Sequence, residues 1–357
     1  MDVFLISNMY PDSSSPGFGV FVKNAVEGME KNGIHVKYSS LIKGKSKTSI
    51  EKIIKYLRFY FCICFNFFKT YDLIYIHFPN HALPILLPLL IFRKRCIVVN
   101  LHGEDLLYEG FVGNFLGKLN DSFLTHVENI IVPSNYFKEI VLNRNLSSEN
   151  KIFISPSGGI DNNVFFPQNK QYLNDRLLIG YVGRIEEGKG IREFVEVLYE
   201  VNKSIYCEAI IIGYGSYEGE LLEMLAKYSL TDKVKIIRGL DQTKLCEYYN
   251  TFDLFLFLSK RKTESLGLVG IESMACGTPV IGTSIGGIPS YLIDGYNGFL
   301  VPNDDILSVV NAIKKYQFMR YEDKMHMREN CIKSSQSFFR DKVCNELSEH
   351  FTQINKI

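Results

Sequence analysis

Short apolar runs alternate with amphipathic stretches along the whole chain. In the first half the runs are Val3–Ser7, Val36–Ser40, Leu73–His77, Cys96–Asn100, Ile130–Pro133 and Ile152–Ile154. In the second they are Leu178–Val182, Glu208–Ile212, Val234–Ile237, Leu254–Leu258 and Val280–Ile281. These runs are continuous rather than alternately polar, the pattern of strands buried on both faces of a parallel sheet. Between them lie helical faces, such as Val22, Ala25, Val26 and Met29, or Ile191, Phe194, Val195 and Leu198. The pattern predicts an α/β protein of two doubly wound, Rossmann-like domains. A polar, turn-rich stretch from Asp161 to Arg176 marks the break, with the linker at residues 165 to 176. The predicted domains are residues 1–168 and 175–335, and residues 336–357 form a C-terminal helix that packs back on the first domain.

Composition narrows the function. The 357 residues are enough for two domains of ordinary size, and 46% are apolar. A net charge of +1 gives no general attraction to nucleic acid. The N-terminus reads as a first strand without a basic leader, and no apolar run reaches the ~18 residues of a membrane span, so a cytoplasmic location is expected. The eight cysteines lack CxxC spacing and read as reduced core thiols.

The most informative stretch runs from Lys262 to Pro279. Glu264 and Glu272 stand eight positions apart, with small and apolar residues between them. The stretch follows the apolar run Leu254–Leu258, and Gly277 and Pro279 close a short helix in the expected order. Glu264 therefore belongs to a strand-to-helix loop and Glu272 to the helix. A parallel sheet places its ligand in that kind of crevice, beyond the carboxyl ends of its strands.

A second constellation is Gly183-Arg184-Ile-Glu-Glu-Gly188-Lys189-Gly190, between the run Leu178–Val182 and a helix opening at Ile191. A lysine at a helix N-terminus is electrostatically misplaced, because the dipole there is already positive. The placement makes sense if an anion sits there, and Arg184 and Lys189 then converge on a phosphate that the helix also faces. The opposing reading is a solvated loop in which Glu186 and Glu187 neutralise the cations.

Weaker signals sit at other strand ends. The loop Ser14–Val20 carries Gly17 and Gly19, which permit close approach to a ligand, but Val22 fills the third position of GxGxxG. His102 follows the run Cys96–Asn100 and is placed to donate to a sugar hydroxyl, or simply to cap local backbone. Gly213, and the backbone near Leu240, follow strands of the second half and shape a nucleoside pocket or plain turns. Gly286 and Gly287 precede Pro289 and are expected to expose amides at a helix start. His35, His326 and His350 read as surface residues. No DxD triplet follows a strand, so no metal ligands are assigned.

In this order, these motifs resemble the retaining glycosyltransferases of family four, group 1 type, which have the GT-B fold: two Rossmann-like domains facing across a cleft. The resemblance covers nearly the whole chain and is nearest to members acting on bacterial surface polysaccharides. Its most specific parts are Gly183-Arg184 to Lys189-Gly190, Glu264 to Glu272 with Met274–Pro279, and Asn297–Pro302. It implies that Arg184 and Lys189 bind the donor diphosphate, and that Glu272 takes the ribose hydroxyls. It places Glu264, Ser265, Leu266, Gly267 and Leu268 around the transferred sugar and its phosphate. His102 is expected at the sugar, and Gly17, Gly19, Gly183, Gly213 and Leu240 elsewhere around the donor. The implied donor is a nucleotide-diphosphate sugar, UDP favoured over GDP, with no cofactor and no metal. The implied acceptor is a glycan or an undecaprenyl-diphosphate-linked glycan. Two departures stand out: Ser265-Leu266 replaces the usual Gly-Phe after the first glutamate, and Phe18 separates glycines that are usually adjacent. An isomerase of the same fold, the nucleotide-sugar epimerase, remains the alternative activity.

Basic residues Lys43, Lys45, Lys47, Lys52, Lys55, Arg58 and Lys69 surround the aromatic segment Tyr56–Phe68, and only Glu51 opposes them. Such a segment suits the anionic inner face of a membrane. A core helix preceded by a basic loop fits it equally well.

Overall fold

A computed structural model of the chain describes residues 1–15, 17–108, 110–169 and 176–354. The chain divides into two compact units, Met1–Gly159 with Arg340–Ile357, and Ile160–Phe339. The first unit ends ahead of the expected linker at residues 165 to 176, and residues 170–175 of that linker lie outside the described residues. Asp161 and Phe165 belong to the second unit, where Phe165 packs against Tyr249.

The first unit holds β1 (Asp2–Tyr10), β2 (His35–Lys43), β3 (Leu73–His77), β4 (Ile97–Asn100), β5 (Asn129–Val132) and β6 (Ile152–Ile154). They form one sheet in the order β2-β1-β3-β4-β5-β6, and all of the pairings are parallel. The second holds β7 (Leu177–Val182), β8 (Cys207–Ile212), β9 (Val234–Ile237), β10 (Leu254–Phe257), β11 (Val280–Thr283) and β12 (Gly298–Val301). Their order is β12-β11-β10-β7-β8-β9, again all parallel. β12 is absent from the strands expected above: it is short and begins at a glycine, so its apolar run is only Phe299–Val301.

The continuous apolar runs have the reason anticipated for them. Successive side chains of a strand point to opposite faces. Phe4 and Ile6 of β1 join the core on one face of the first sheet, while Val3 and Leu5 join the core on the other. Leu254 and Leu256 of β10 divide in the same way from Phe255 and Phe257. The helices supply the cover: Ile191, Phe194, Val195 and Leu198 of the Ile191–Val201 helix are all buried.

Each sheet has one place where the strand order reverses direction. In the first it lies between β1 and β3, in the second between β7 and β10. Crossover connections leave such a switch point to opposite faces, which opens a crevice at the carboxyl ends of the two strands. In the second sheet, Gly183–Gly190 follows β7 and Ser259–Gly267 follows β10. In the first, the Gly17–Gly19 loop follows β1 and His77 ends β3.

The chain returns to its first unit through the helix Arg340–Ile354. Its buried face, Val343, Cys344, Leu347 and Phe351, packs beside the Val20–Lys31 helix, and Phe351 meets Tyr75 edge-on at 5.0 Å. His350 is half-buried here rather than at the surface: its ring stacks on Phe153 at 4.1 Å and its Nε2 hydrogen-bonds Asn129. Gly28 makes the close approach possible, since a Cβ there would fall 2.1 Å from Cys344 Sγ. Gly28→Ala is expected to destabilise the protein by about 1–3 kcal/mol through overpacking. It should also speed amide exchange across residues 340–354 more than elsewhere, and wild-type exchange there would contradict this account of the contact.

Candidate functional site

The site at the second switch point is built from two loops that hold each other. Gly190 precedes the Ile191–Val201 helix with φ of 78°, and a Cβ there would fall 2.1 Å from the Leu258 carbonyl oxygen. A side chain is excluded on both counts. Lys260 N–H donates to Gly188 O at 2.9 Å, and Tyr181 hydroxyl donates to the carbonyls of Arg184 and Lys189 at 2.9 and 3.3 Å. These contacts hold the 183–190 loop against the end of β10.

Lys189 Nζ donates to Glu264 Oε2 at 2.7 Å, and the two side chains are only 17% and 11% exposed. Ser259 Oγ donates to the same oxygen at 2.9 Å. Glu264 Oε1 has no hydrogen-bond partner among the described residues. The Glu264 backbone is fixed as well: its N–H donates to Arg261 O at 3.0 Å and its carbonyl accepts from Gly287 N–H at 2.9 Å. The misplaced lysine has therefore found its counter-charge in Glu264.

Arg184 behaves differently. It is 55% exposed and donates to Glu186 Oε1 at 3.1 Å, as the solvated-loop reading anticipated for that residue. The other oxygen of Glu186 accepts from Arg261 Nη2 at 3.1 Å, and the same nitrogen donates to Glu187 O at 2.7 Å. Arg261 did not emerge from the sequence reading. Its signal is the basic triplet Lys260-Arg261-Lys262 directly after β10. Its neighbour Lys260 pairs with Glu193 and Asp304, so Asp304 balances a cation at a turn.

Glu272 lies on the helix Leu268–Ala275, which starts after Gly267 (φ 74°) and ends in a Schellman arrangement. Gly277 N–H donates to Met274 O at 2.8 Å and Thr278 N–H to Ser273 O at 2.9 Å. Glu272 is buried, and Tyr249 hydroxyl donates to its Oε2 at 3.0 Å. Burial pushes its carboxyl up to about 7, and the Tyr249 bond opposes part of that rise.

Several other predicted residues have mainly structural surroundings. The Leu266 side chain is buried in the core beneath the site, while Ser265 and Leu268 are partly buried beside it. Gly287 does not expose its amide, because that N–H is bonded to Glu264; the glycine lets the two loops pack, as its Cβ would fall 2.1 Å from Ser265 O. Gly213 answers a similar need, since its Cβ would strike the Gly183 carbonyl oxygen at 1.8 Å. Leu240 is partly buried against the same core as Leu266.

In the first unit, Gly19 (φ 74°) lies against the Met9 backbone, 2.6 Å from where its Cβ would be, whereas Gly17 faces open space. His102 is buried, stacked on Phe78 at 4.4 Å, and its Nε2 shares a 2.9 Å hydrogen bond with His77 Nδ1. Burial holds both imidazoles neutral, His102 down to about 3. The backbone amides of His102 and Gly103 donate to Asp105, so the carboxylate rather than the imidazole caps this turn. The His77–His102 pairing is invisible in sequence because it joins neighbouring strands β3 and β4 across 25 residues. No group of three or more metal-ligating side chains is assembled among the described residues.

Residues 164–337 match the family model of the glycosyl transferases group 1. The chain is 31% identical over 197 residues to the capsular polysaccharide biosynthesis glycosyltransferase CapM of Staphylococcus aureus. That alignment takes in 52% of this chain and spans about half of CapM, 51% of its length. Sucrose-phosphate synthase from Thermosynechococcus elongatus superposes with a TM-score of 0.81 at 19% identity, covering 99% of each chain. HepE of Anabaena in complex with UDP-glucose gives 0.76 at 17% identity, covering 99% of this chain and 100% of HepE.

Glu272→Gln keeps an acceptor for Tyr249 and removes a buried charge. The folded-state pKa of Glu272 lies above its unfolded value, so the ionised carboxylate costs stability that grows as pH rises from about 4.5 to about 7. The melting temperature of Glu272→Gln should therefore exceed that of the wild type at pH 8 and converge with it near pH 4.5; an equal offset at both pH values would contradict the assignment. The two parallel, doubly wound units are those of the GT-B fold, and the segment that carries Lys189, Glu264 and Glu272 is the one that matches the glycosyl transferases group 1.

Proposed function

We propose that the protein transfers a sugar from a nucleotide-diphosphate donor to a glycan acceptor, with retention of anomeric configuration and without a metal ion. The observation that carries this reading is the half-buried Lys189–Glu264 pair at the switch point of a group 1 domain. It is supported by the UDP-glucose complex of the structurally similar HepE and by the capsular role in the name of CapM. A UDP-sugar is the favoured donor.

In this reading the donor pyrophosphate takes Lys189 as counter-ion, beside the N-terminus of the Ile191–Val201 helix. Arg184, exposed and bound among the described residues only to Glu186, swings to the same phosphates. Glu272 accepts the ribose hydroxyls, for which its Oε1 has no competing partner among the described residues. Glu264 Oε1 accepts from a hydroxyl of the transferred sugar. The bond from anomeric carbon to diphosphate oxygen breaks, and its electron pair leaves with the nucleoside diphosphate. An acceptor hydroxyl attacks from the same face and passes its proton to the departing oxygen. Cations brought to where negative charge grows, with Lys189 already in place, lower the barrier electrostatically. They also do for the diphosphate what a divalent cation does elsewhere.

Lys189→Ala should lower transfer by about 10²–10³-fold, the scale of losing one preorganised charge contact. Its fold should survive, since Ser259 still bonds Glu264. Turnover is measured by release of nucleoside diphosphate with a sugar-nucleotide panel, in the presence of a chelator, alongside a melting curve. Near-wild-type turnover in a folded Lys189→Ala protein contradicts the assigned role. Isomerised donor formed without acceptor would identify the epimerase instead.

A further inference from the structure

The helix Ser49–Phe67 has two apolar faces. One, with Phe59, Ile63 and Phe67, is buried against the first sheet. The other stands in solvent: Ile50, Ile54, Leu57, Phe61, Phe65 and the adjoining Phe68 recur every three or four residues, and Phe61 is 70% exposed. That spacing draws one stripe along the helix, opposite its buried face. Ile91 and Phe92, 83% and 78% exposed, end the neighbouring helix Leu83–Phe92. Arg93 donates to Phe68 O at 3.3 Å and Arg95 to Lys69 O at 2.7 Å, so the two helix ends are tied and their apolar residues adjoin. A patch of this extent is far beyond the singly scattered apolar residues of an ordinary surface.

The charges around the patch are of one sign. Lys45, Lys47, Lys52, Arg58, Arg93 and Lys94 are exposed, and no ion pair engages them among the described residues. The one acid in the Ser49–Phe67 helix, Glu51, is already held by Lys55 at 3.0 Å and by the Lys47 amide at 2.7 Å. A second copy of the chain meeting this face symmetrically would set the basic rims against each other. A sheet of anionic headgroups over an apolar interior matches both the stripe and its rim. No helix among the described residues is long and apolar enough to cross a membrane. The contact is therefore one that lies along the interface. Thr48 fixes where the stripe begins, capping the helix by accepting from Glu51 N–H at 3.2 Å.

We propose that the exposed face of the Ser49–Phe67 helix, together with Ile91 and Phe92, docks the protein onto the surface of a bilayer that carries anionic lipid. The apolar stripe enters the headgroup boundary and the lysines and arginines meet the phosphates around it. This surface is separate from the donor site, and its test does not depend on the proposed reaction.

Flotation of the full chain with phosphatidylcholine vesicles, with and without phosphatidylglycerol, reads the contact directly. The protein is expected to float with the anionic vesicles at low salt and to be released as salt rises. Two double variants probe the two components: Leu57→Ser with Phe61→Ser, and Lys47→Glu with Lys52→Glu. Each should reduce the bound fraction about tenfold, with circular dichroism melts unchanged because none of these side chains is buried. The proposal is overturned if the wild-type protein stays behind with anionic vesicles at low salt. It is also overturned if both variants float as well as the wild type, or if sedimentation shows a dimer that the Leu57/Phe61 variant splits without any vesicle binding.

Discussion

The second unit turns on one ion pair. Lys189 comes from the loop after β7 and Glu264 from the loop after β10, the two strands that flank the reversal of strand order. A half-buried ammonium beside a helix N-terminus is unfavourable without a counter-charge, and a half-buried carboxylate is unfavourable without a donor. Each answers the other, with Ser259 adding a second donor to Glu264. The glycines around them serve this meeting. Gly190 lets its loop reach the Leu258 carbonyl, and Gly286 and Gly287 let a third loop lie against Glu264 and Ser265. What looks in sequence like a set of glycine-rich ligand loops is in large part the means by which backbone segments press together to hold two charged side chains.

The same geometry explains why the site is poised. Lys189 is matched to an internal carboxylate where the sequence points to an external anion. A pyrophosphate that binds here must compete with Glu264 for the ammonium, or join it in a three-way cluster. Glu272 is poised in another sense. Its burial favours the protonated acid, and ligand hydroxyls that donate to it favour the carboxylate. In the proposed reading, such a group gives up stability at neutral pH in return for recognition of the donor.

Much of the fold was legible because parallel strands buried on both faces must be apolar throughout. Most of the strands follow from that rule, but the edge strands β2 and β9 break it with exposed Lys37 and Lys235, and β12 is a run of only three apolar residues behind a glycine. The placement of Glu264 on a loop and Glu272 on a helix was legible too, because Gly277 and Pro279 punctuate the helix end. Partners were not. That Lys189 meets Glu264, that Arg261 shares Glu186 with Arg184, and that His102 is bonded to His77 each depend on which strands are neighbours. Strand order is set by long-range packing and leaves no local mark. His350 was misread for the same reason, since nothing near it in sequence shows that Phe153 lies beneath it. The basic aromatic segment defied a choice between core and surface because its helix is both, buried on one side and bare on the other.

The central claim is that Lys189 serves as counter-ion to a donor pyrophosphate at the crevice of the second sheet. A crystal structure of the protein with a bound UDP-sugar tests it most directly. The account predicts the pyrophosphate within hydrogen-bonding distance of Lys189 Nζ, in front of the Ile191–Val201 helix. A pyrophosphate held elsewhere on the protein, with the 2.7 Å contact between Lys189 and Glu264 intact and no phosphate oxygen near it, would contradict it.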